Sequence, residues 1–218
     1  MNTSQLLLVP TQMERKLLLD SLSDLDRERV VPSLAVCGFG LVAAAARTSF
    51  LLAELKPQNV VLLGIAGRLS EGLEIGSAYS FGSVVCHGIG AGSGADYQSA
   101  EQLGWPQWAG LQTDHVDSVG SIGDRLKLQD STSQLNLLSC TAASGNKEEV
   151  KHKLNSVPNA VAEDMEGYAV AMACAFSNSK LRIIRGISND AGDREHSRWQ
   201  IAAAMASVAE LVKQYLEV

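Results

Sequence analysis

Residues 162–170 read AEDMEGYAV and place three carboxylates, Glu163, Asp164 and Glu166, within four positions. An apolar, strand-like segment precedes them, and a run of small and apolar residues typical of a buried helix follows. Like charges held close together destabilise a fold unless a partner or a ligand interacts with them. The stretch therefore predicts a strand that leads directly into a buried helix, with a binding site at their junction.

Strand and helix patterns alternate outward from this stretch. Apolar and β-branched runs predict strands over residues 5–9, 30–37, 59–63, 77–87, 134–140, 160–162 and 181–187. Helical patterns, two of them opened by capping-box spacing, cover residues 11–23, 41–55, 121–129, 146–154, 165–176 and 197–216. The expected connections include a charged segment at 24–29, a glycine turn at 64–67 and a flexible glycine loop at 88–94. The chain shows no composition break or repeat. It therefore predicts one α/β domain over residues 1–218, with a central, mainly parallel mixed β-sheet flanked by helices.

The overall composition restricts the class of function. The chain has 218 residues, of which 46% are hydrophobic and 19% charged, so a sizeable core is expected. Its net charge of -6 argues against nucleic acid as a partner. No basic leader precedes an apolar run and no uncharged apolar run is long enough to cross a bilayer, so we expect a cytoplasmic protein without a membrane partner. The four cysteines form no C-x-x-C pair and are expected to be reduced core thiols: Cys37, Cys86, Cys140 and Cys174.

Ligands of parallel sheets bind at the carboxyl ends of the strands, so the loops after strands are the informative ones. Five such loops carry polar residues or glycine: 10–14, 64–67, 139–145, 164–166 and 188–193. The Gly64–Gly67 segment lacks bulk, which allows backbone to approach a ligand, but it is not a dinucleotide-binding G-x-G-x-x-G motif. Gly38-Phe39-Gly40 is expected to be only a tight turn.

The candidate site residues have structural alternatives. Glu166 can accept two hydrogen bonds from the cis-diol of a ribose, or it can be a first-turn acid favoured by the helix dipole. Glu14 can be a general base for water, or the capping-box partner of Thr11. The Asn189 amide can read a 6-oxopurine edge, or it can serve a turn. The histidines are isolated along the chain and are expected to have no catalytic role: His87, His115, His152 and His196.

Several motifs, in order along nearly the whole chain, resemble the purine nucleoside phosphorylase/nucleosidase superfamily. They are VPTxxE ending at Glu14, GIAG at 64–67, EDMEG at 163–167, and GISNxxGDR at 186–194 followed by SRW at 197–199. Within the superfamily they are most similar to the futalosine hydrolases, nucleosidases of the alternative menaquinone route whose substrate carries hypoxanthine. The resemblance implies a cytoplasmic N-glycosyl hydrolase that needs no metal or organic cofactor and forms a homodimer or larger homo-oligomer.

The resemblance also implies roles for individual residues. Glu166 would bind the ribose hydroxyls with Met165 packed on the sugar, and Glu14 would activate the attacking water. Asn189 lies where adenine-selective relatives carry an aspartate that protonates N7, so it suits a 6-oxopurine such as hypoxanthine, with Asp190 as a second candidate proton source. The remaining substrate-binding residues would be Ile65, Ala66, Gly67, Ala143 and Glu163.

Two positions favour hydrolysis over phosphorolysis. Phosphorylases of this superfamily carry an arginine two residues before the position of Gly64 and a hydroxyl residue just after it, and here those positions are Leu62 and Ile65. Neither side chain can bind phosphate.

Three questions stay open. The substrate can be futalosine, a thioadenosine or a simple nucleoside, and a non-catalytic nucleoside-binding module is a further alternative. The 5′ substituent can contact Arg68, Arg194 or Arg198, and the segment 88–110 can be a lid or an interface.

Overall fold

The computed structural model describes residues 5–110, 119–129 and 131–216. Its strands are β1 (Gln5–Val9), β2 (Leu34–Val36), β3 (Asn59–Arg68), β4 (Ala78–Phe81), β5 (Ser83–His87), β6 (Gly90–Ala91), β7 (Gln98–Ser99), β8 (Arg125–Lys127), β9 (Asn136–Cys140), β10 (Ala160–Asp164) and β11 (Lys180–Asp190). Its helices are α1 (Gln12–Asp20), α2 (Asp24–Val30), α3 (Gly40–Leu55), α4 (Lys147–Ser156), α5 (Gly167–Ser177) and α6 (Ile201–Val212).

Nine of these strands form one mixed sheet in which parallel pairs predominate, as predicted. The order is β2-β1-β3-β10-β9-β5-β8, and the long strand β3 also pairs with β11, which in turn pairs with β4. The pairs β1–β2, β1–β3, β3–β11, β9–β10 and β5–β9 are parallel, whereas β3–β10, β4–β11 and β5–β8 are antiparallel. β6 and β7 form a separate two-stranded hairpin.

Helices cover both faces of the sheet, which explains why β1 and β3 are apolar at almost every position. Leu6 and Leu8 point to one face, where α3 and α5 pack, and Leu7 and Val9 point to the other, where α1 and α6 pack. Gly186 allows the closest of these contacts, because a Cβ there would lie 2.4 Å from the Ala204 carbonyl oxygen of α6. The predicted arrangement of a central sheet flanked by helices is confirmed.

Three predicted elements were wrong. Residues 64–67 are not a turn, because β3 continues through them and pairs with β11 up to Arg68. Residues 24–29 are helical, since Ser23 caps α2 by accepting a hydrogen bond from the backbone of Asp26. Residues 125–127 of the predicted helix 121–129 are a strand, because they pair antiparallel with β5. The last case is a tertiary contact that overrides local preference.

Other predictions differ in extent. The single strand expected over 77–87 is divided at Gly82, because β4 pairs with β11 while β5 pairs with β8 and β9. A Cβ at Gly82 would also overlap the Ser133 carbonyl. The four cysteines are buried and form no disulfide, as expected of core thiols. None of the helices in the described ranges is long and apolar enough to cross a membrane.

Candidate active site

A cavity of about 360 Å³ opens at the carboxyl ends of β1, β3, β10 and β11. All five loops predicted from the sequence contribute residues to its wall. Nine of the ten predicted site residues line it: Glu14, Ile65, Ala66, Gly67, Ala143, Glu163, Met165, Glu166 and Asn189. This position agrees with the general location of ligand sites in such sheets.

Glu14 is buried in the cavity wall and faces the sheet. Its Oε1 accepts a hydrogen bond of 3.0 Å from the Ile65 backbone N–H, and its Oε2 accepts one of 2.5 Å from the Thr11 hydroxyl. Thr11 caps α1 through the backbone N–H of Glu14, so the threonine half of the predicted capping box is present. The carboxylate itself is fixed on β3, and each oxygen keeps lone pairs for a ligand or a water molecule.

Glu166 lies on another part of the wall, at the N-cap position of α5. Its side chain makes no capping hydrogen bond. Instead, Oε1 accepts a bond of 3.0 Å from the Gly40 N–H, and Oε2 accepts one of 3.2 Å from Nη2 of Arg185. Contacts with Gly40 and Arg185, and not a capping bond to the first turn of α5, therefore fix the position of this carboxylate. The Gly38–Gly40 turn, expected to be only a turn, contributes a donor to the site.

Arg185 is completely buried and compensates the charge of two carboxylates. It donates to Asp164 from Nη2 at 2.5 Å and from Nε at 3.0 Å, and its Nη1 donates to the Leu63 carbonyl at 3.3 Å. Asp164 also accepts from the Gly167 N–H and from the Ser139 hydroxyl, so it caps α5 and has a structural role. A charge from a different strand thus stabilises the acidic junction.

The pKa of Glu166 is raised from 4.5 to about 7. Burial is the largest cause, since it disfavours the charged carboxylate. Arg185 and the Gly40 N–H lower the pKa, whereas the negative charges of Asp164 and Glu14 raise it. This carboxylate consequently changes its charge close to neutral pH.

Glu163 accepts hydrogen bonds on both of its carboxylate oxygens. It accepts hydrogen bonds of 2.8 and 2.7 Å from the N–H and the hydroxyl of Ser144, and Lys153 donates to it at 2.8 Å. Lys153 also donates to the Ala142 carbonyl at 2.8 Å. These bonds fix the 141–145 loop, so that Ala143 faces the cavity.

Asn189 faces the cavity with its amide orientation fixed by its neighbours. Its Oδ1 accepts a bond of 2.7 Å from the Ser188 hydroxyl, and its Nδ2 donates one of 2.7 Å to the Asp190 carbonyl. An amide has two donor hydrogens and two acceptor lone pairs, so one of each remains for a ligand. The chemistry available is hydrogen bonding without proton transfer.

Asp190 is the one predicted site residue that does not line the cavity. Its carboxylate is largely exposed and pairs with Nε of Arg68 at 2.7 Å. The Asn189 amide contacts the backbone carbonyl of Asp190, whereas the Asp190 carboxylate is bonded to Arg68 outside the cavity wall. The suggestion that Asp190 protonates the base is corrected on this ground.

Other cavity residues were not singled out from the sequence. They include Phe39, Ser188, His196, Trp199 and Ile201, whereas Arg194 was one of the three arginines named as candidates for the 5′ substituent. The SRW motif and the position of residues 192–201 after β11 were the available signals, whereas nothing local marked Phe39. Of the histidines, which were expected to have no catalytic role, His196 lines the cavity and His115 lies outside the described residues. Within the described ranges no three His, Cys, Asp or Glu side chains are arranged to hold a metal ion.

Known proteins share the fold of this chain. Residues 136–217 match the family model described as the phosphorylase superfamily. The chain is 26% identical over 186 residues to a 5′-methylthioadenosine/S-adenosylhomocysteine nucleosidase of Staphylococcus aureus, a match that covers 84% of this chain and 78% of the relative. The structure of such a nucleosidase from Neisseria meningitidis, in complex with methylthio-immucillin-A, superposes with a TM-score of 0.69 at 20% identity, covering 98% of this chain and 100% of that one.

A further solved structure, described as futalosine hydrolase of Helicobacter pylori, superposes with a TM-score of 0.69 at 16% identity and covers 99% of each chain. The chain has the fold of the phosphorylase superfamily. The superfamily resemblance seen in the motifs and the family match over 136–217 therefore agree. The matched relatives are nucleosidases, which are N-glycosyl hydrolases, the enzyme class expected from the sequence.

Proposed function

We propose that the protein is a purine nucleosidase that hydrolyses the N-ribosidic bond of futalosine and releases hypoxanthine. One observation carries the proposal: two buried carboxylates, Glu14 and Glu166, line the same cavity, and each is fixed by a backbone N–H. Such fixed acceptors can orient a water molecule and a ribose at the same time.

The mechanism assigns one role to each carboxylate. Ionised Glu166 accepts hydrogen bonds from the ribose hydroxyls, with Met165 beside it in the wall. The bond between C1′ and N9 breaks with its electrons passing to the base, and the ribose becomes oxocarbenium-like near both carboxylates. Glu14 orients a water molecule, accepts its proton and directs the oxygen to C1′.

The side-chain amide of Asn189 supports the proposal that the base is a 6-oxopurine. Its remaining amide donor suits O6, and its remaining acceptor suits the adjacent N1–H of hypoxanthine. The amide stabilises charge on the leaving base through hydrogen bonds and does not act as an acid, so water protonates the base to hypoxanthine and Glu14 returns its proton to solvent. This preference distinguishes the proposal from an adenine-specific enzyme.

Water, and not phosphate, is the nucleophile in this proposal. Leu62 is completely buried in the core, and Ile65 presents an aliphatic side chain to the cavity. The buried guanidinium of Arg185 is already bonded to Asp164 and Glu166, so it is not free to bind phosphate. The reaction is therefore expected to yield a free ribose derivative at a rate independent of phosphate concentration.

The test is a base-release assay with inosine, methylthioadenosine and futalosine, with and without phosphate. Hypoxanthine release from futalosine is expected, and Glu14→Gln and Glu166→Gln should each reduce turnover about 100-fold or more. Glu148→Gln is the matched control, because Glu148 is 83% exposed at the surface of α4. Near-normal turnover by Glu14→Gln would return Glu14 to a structural role, and binding without any turnover would indicate a non-catalytic nucleoside-binding module.

The second candidate is a methylthioadenosine/adenosylhomocysteine nucleosidase. The names of the S. aureus and N. meningitidis relatives favour it. The roles proposed for Glu14 and Glu166 would serve either candidate. Adenine release alone in the same assay would select this candidate and contradict the role proposed for Asn189. We further propose a homodimer or larger assembly in the cytoplasm, which light scattering of the purified protein and cell fractionation can test.

A further inference from the structure

Three arginines near the site, Arg68, Arg194 and Arg198, differ in what they contact. Arg68 donates to Asp190 at 2.7 Å and to the Leu73 carbonyl at 3.0 Å, and it does not line the cavity. Arg198 is also outside the cavity wall and donates to Asp193 at 2.8 Å. Arg194 alone of the three lines the cavity.

The Arg194 guanidinium packs against an aromatic ring. Its central carbon lies 5.1 Å from the centre of the Trp199 ring, a distance at which a cation is attracted to the face of an indole. Trp199 is itself fixed, because its Nε1 donates to the Asp193 carbonyl at 3.1 Å and the His196 ring lies 4.4 Å away. No carboxylate of the described residues forms an ion pair with Arg194. Stacking leaves the in-plane N–H fork of an arginine available to an anion.

The cavity wall also has an apolar part besides the acidic residues Glu14 and Glu166. Its members are Met13, Phe39, Trp199 and Ile201, and Trp199 contacts Arg194. A ligand part that fits here has an apolar or aromatic body and carries negative charge where it meets Arg194. The carboxylates of Glu14 and Glu166 repel an anion placed beside them. The negative charge of the ligand is therefore favoured at the exposed Arg194.

We infer that Arg194, stacked on Trp199, is a specificity-determining residue that binds a carboxylate on the 5′ substituent of the nucleoside. The inference rests on the proposed nucleosidase function and extends it. The substrate class is a purine nucleoside with an anionic, aromatic 5′ extension, as the benzoate of futalosine provides. A bidentate guanidinium–carboxylate contact selects that class over nucleosides with a neutral 5′ group.

The test measures binding by calorimetry in the Glu14→Gln background, which keeps the ligands intact during titration. Futalosine is compared with its methyl ester, which has the same shape and no charge. We expect the acid to bind about tenfold more tightly than the ester, and Arg194→Met to reduce this preference to about one. Arg194→Lys, which keeps the charge but loses the fork, should retain part of it.

Arg198→Met is the matched control, because Arg198 is an exposed arginine of the same segment outside the cavity wall, and it should keep the full preference. Raising the salt from ~0.05 M to ~0.5 M should weaken the preference, since the contact lies near solvent. The inference is overturned if the starting protein does not prefer the acid, if the preference survives Arg194→Met, or if Arg198→Met removes it equally. Failure of hydrolysis would show separately, in the base-release assay.

Discussion

Nη2 of Arg185 lies 3.2 Å from the Glu166 carboxylate, and both side chains are shielded from solvent, with 0% and 6% of their surface exposed. Removing the guanidinium would leave Asp164 and Glu166 buried without a positive partner. Arg185→Met should therefore lower the free energy of unfolding by about 3–5 kcal/mol, measured by urea denaturation. Lys16→Met removes an exposed ion pair with Asp20 and should change it by less than about 1 kcal/mol. Equal effects of the two substitutions would contradict the role given to Arg185.

The raised pKa of Glu166 predicts a specific dependence of stability on pH. Because the folded state binds this proton more tightly than the unfolded chain, the contribution is fully present below the ordinary pKa of 4.5 and is lost as pH rises through about 7. The difference in unfolding free energy between wild type and Glu166→Gln should therefore fall by about 3 kcal/mol across this window. Urea denaturation of both proteins from about pH 5 to about pH 8 measures it. A constant difference over that range would show that the carboxyl titrates elsewhere.

Gly64 lies between the Glu14 carboxylate and the Arg185 guanidinium. A Cβ at this position would lie 2.2 Å from Nη1 of Arg185 and 2.7 Å from Oε1 of Glu14. Gly64→Ala should destabilise the protein by about 1–3 kcal/mol and displace Glu14, so turnover should fall more than stability explains. Thermal unfolding and the base-release assay give the two quantities. Gly120→Ala is the control, because no atom of the described residues lies within 4 Å of its added Cβ, and both quantities should stay at wild-type values.

Lys153 predicts an effect on substrate binding through the 141–145 loop. Lys153→Met removes the donor to Glu163 and to the Ala142 carbonyl and leaves a buried carboxylate without its cation. We expect a loss of about 3 kcal/mol in stability and an increase in KM that exceeds any change in kcat, because Ala143 is displaced while Glu14 is not. Lys151→Met, at an exposed position of α4, should leave stability, KM and kcat unchanged. A fall in kcat at unchanged KM would argue that Lys153 acts on the chemical step instead.

The sequence predicted the layered fold and the location of the site because both depend on local patterns. Apolar runs alternating with helical periodicity indicated the sheet and its covering helices. Capping signals located the starts of α1 and α4, where Thr11 and Asn146 accept hydrogen bonds from backbone N–H groups. The rule that ligands bind at the carboxyl ends of strands then placed Glu14, Glu166 and Asn189 at one edge.

What the sequence could not show were contacts between distant segments. Arg185 neutralises Asp164 and Glu166 from 21 and 19 residues away, and the Gly40 N–H binds Glu166 across 126 residues. No local pattern specifies such pairs, so the charge at 163–166 seemed uncompensated. The extension of β3 past Leu63 also depends on pairing with β11, and glycines at 64 and 67 concealed it.

Along one edge, β3 pairs with β1 up to Leu62 and with β10 only from Gly67, so residues 63–66 have no strand beside them there. Glu14 takes the Ile65 N–H of this gap. Every amino acid except proline supplies that N–H, so the anchor of the carboxylate proposed to activate water does not depend on which side chain stands at position 65. That side chain faces the cavity. Evolution can therefore retune substrate choice at this position while the hydrolytic apparatus stays in place.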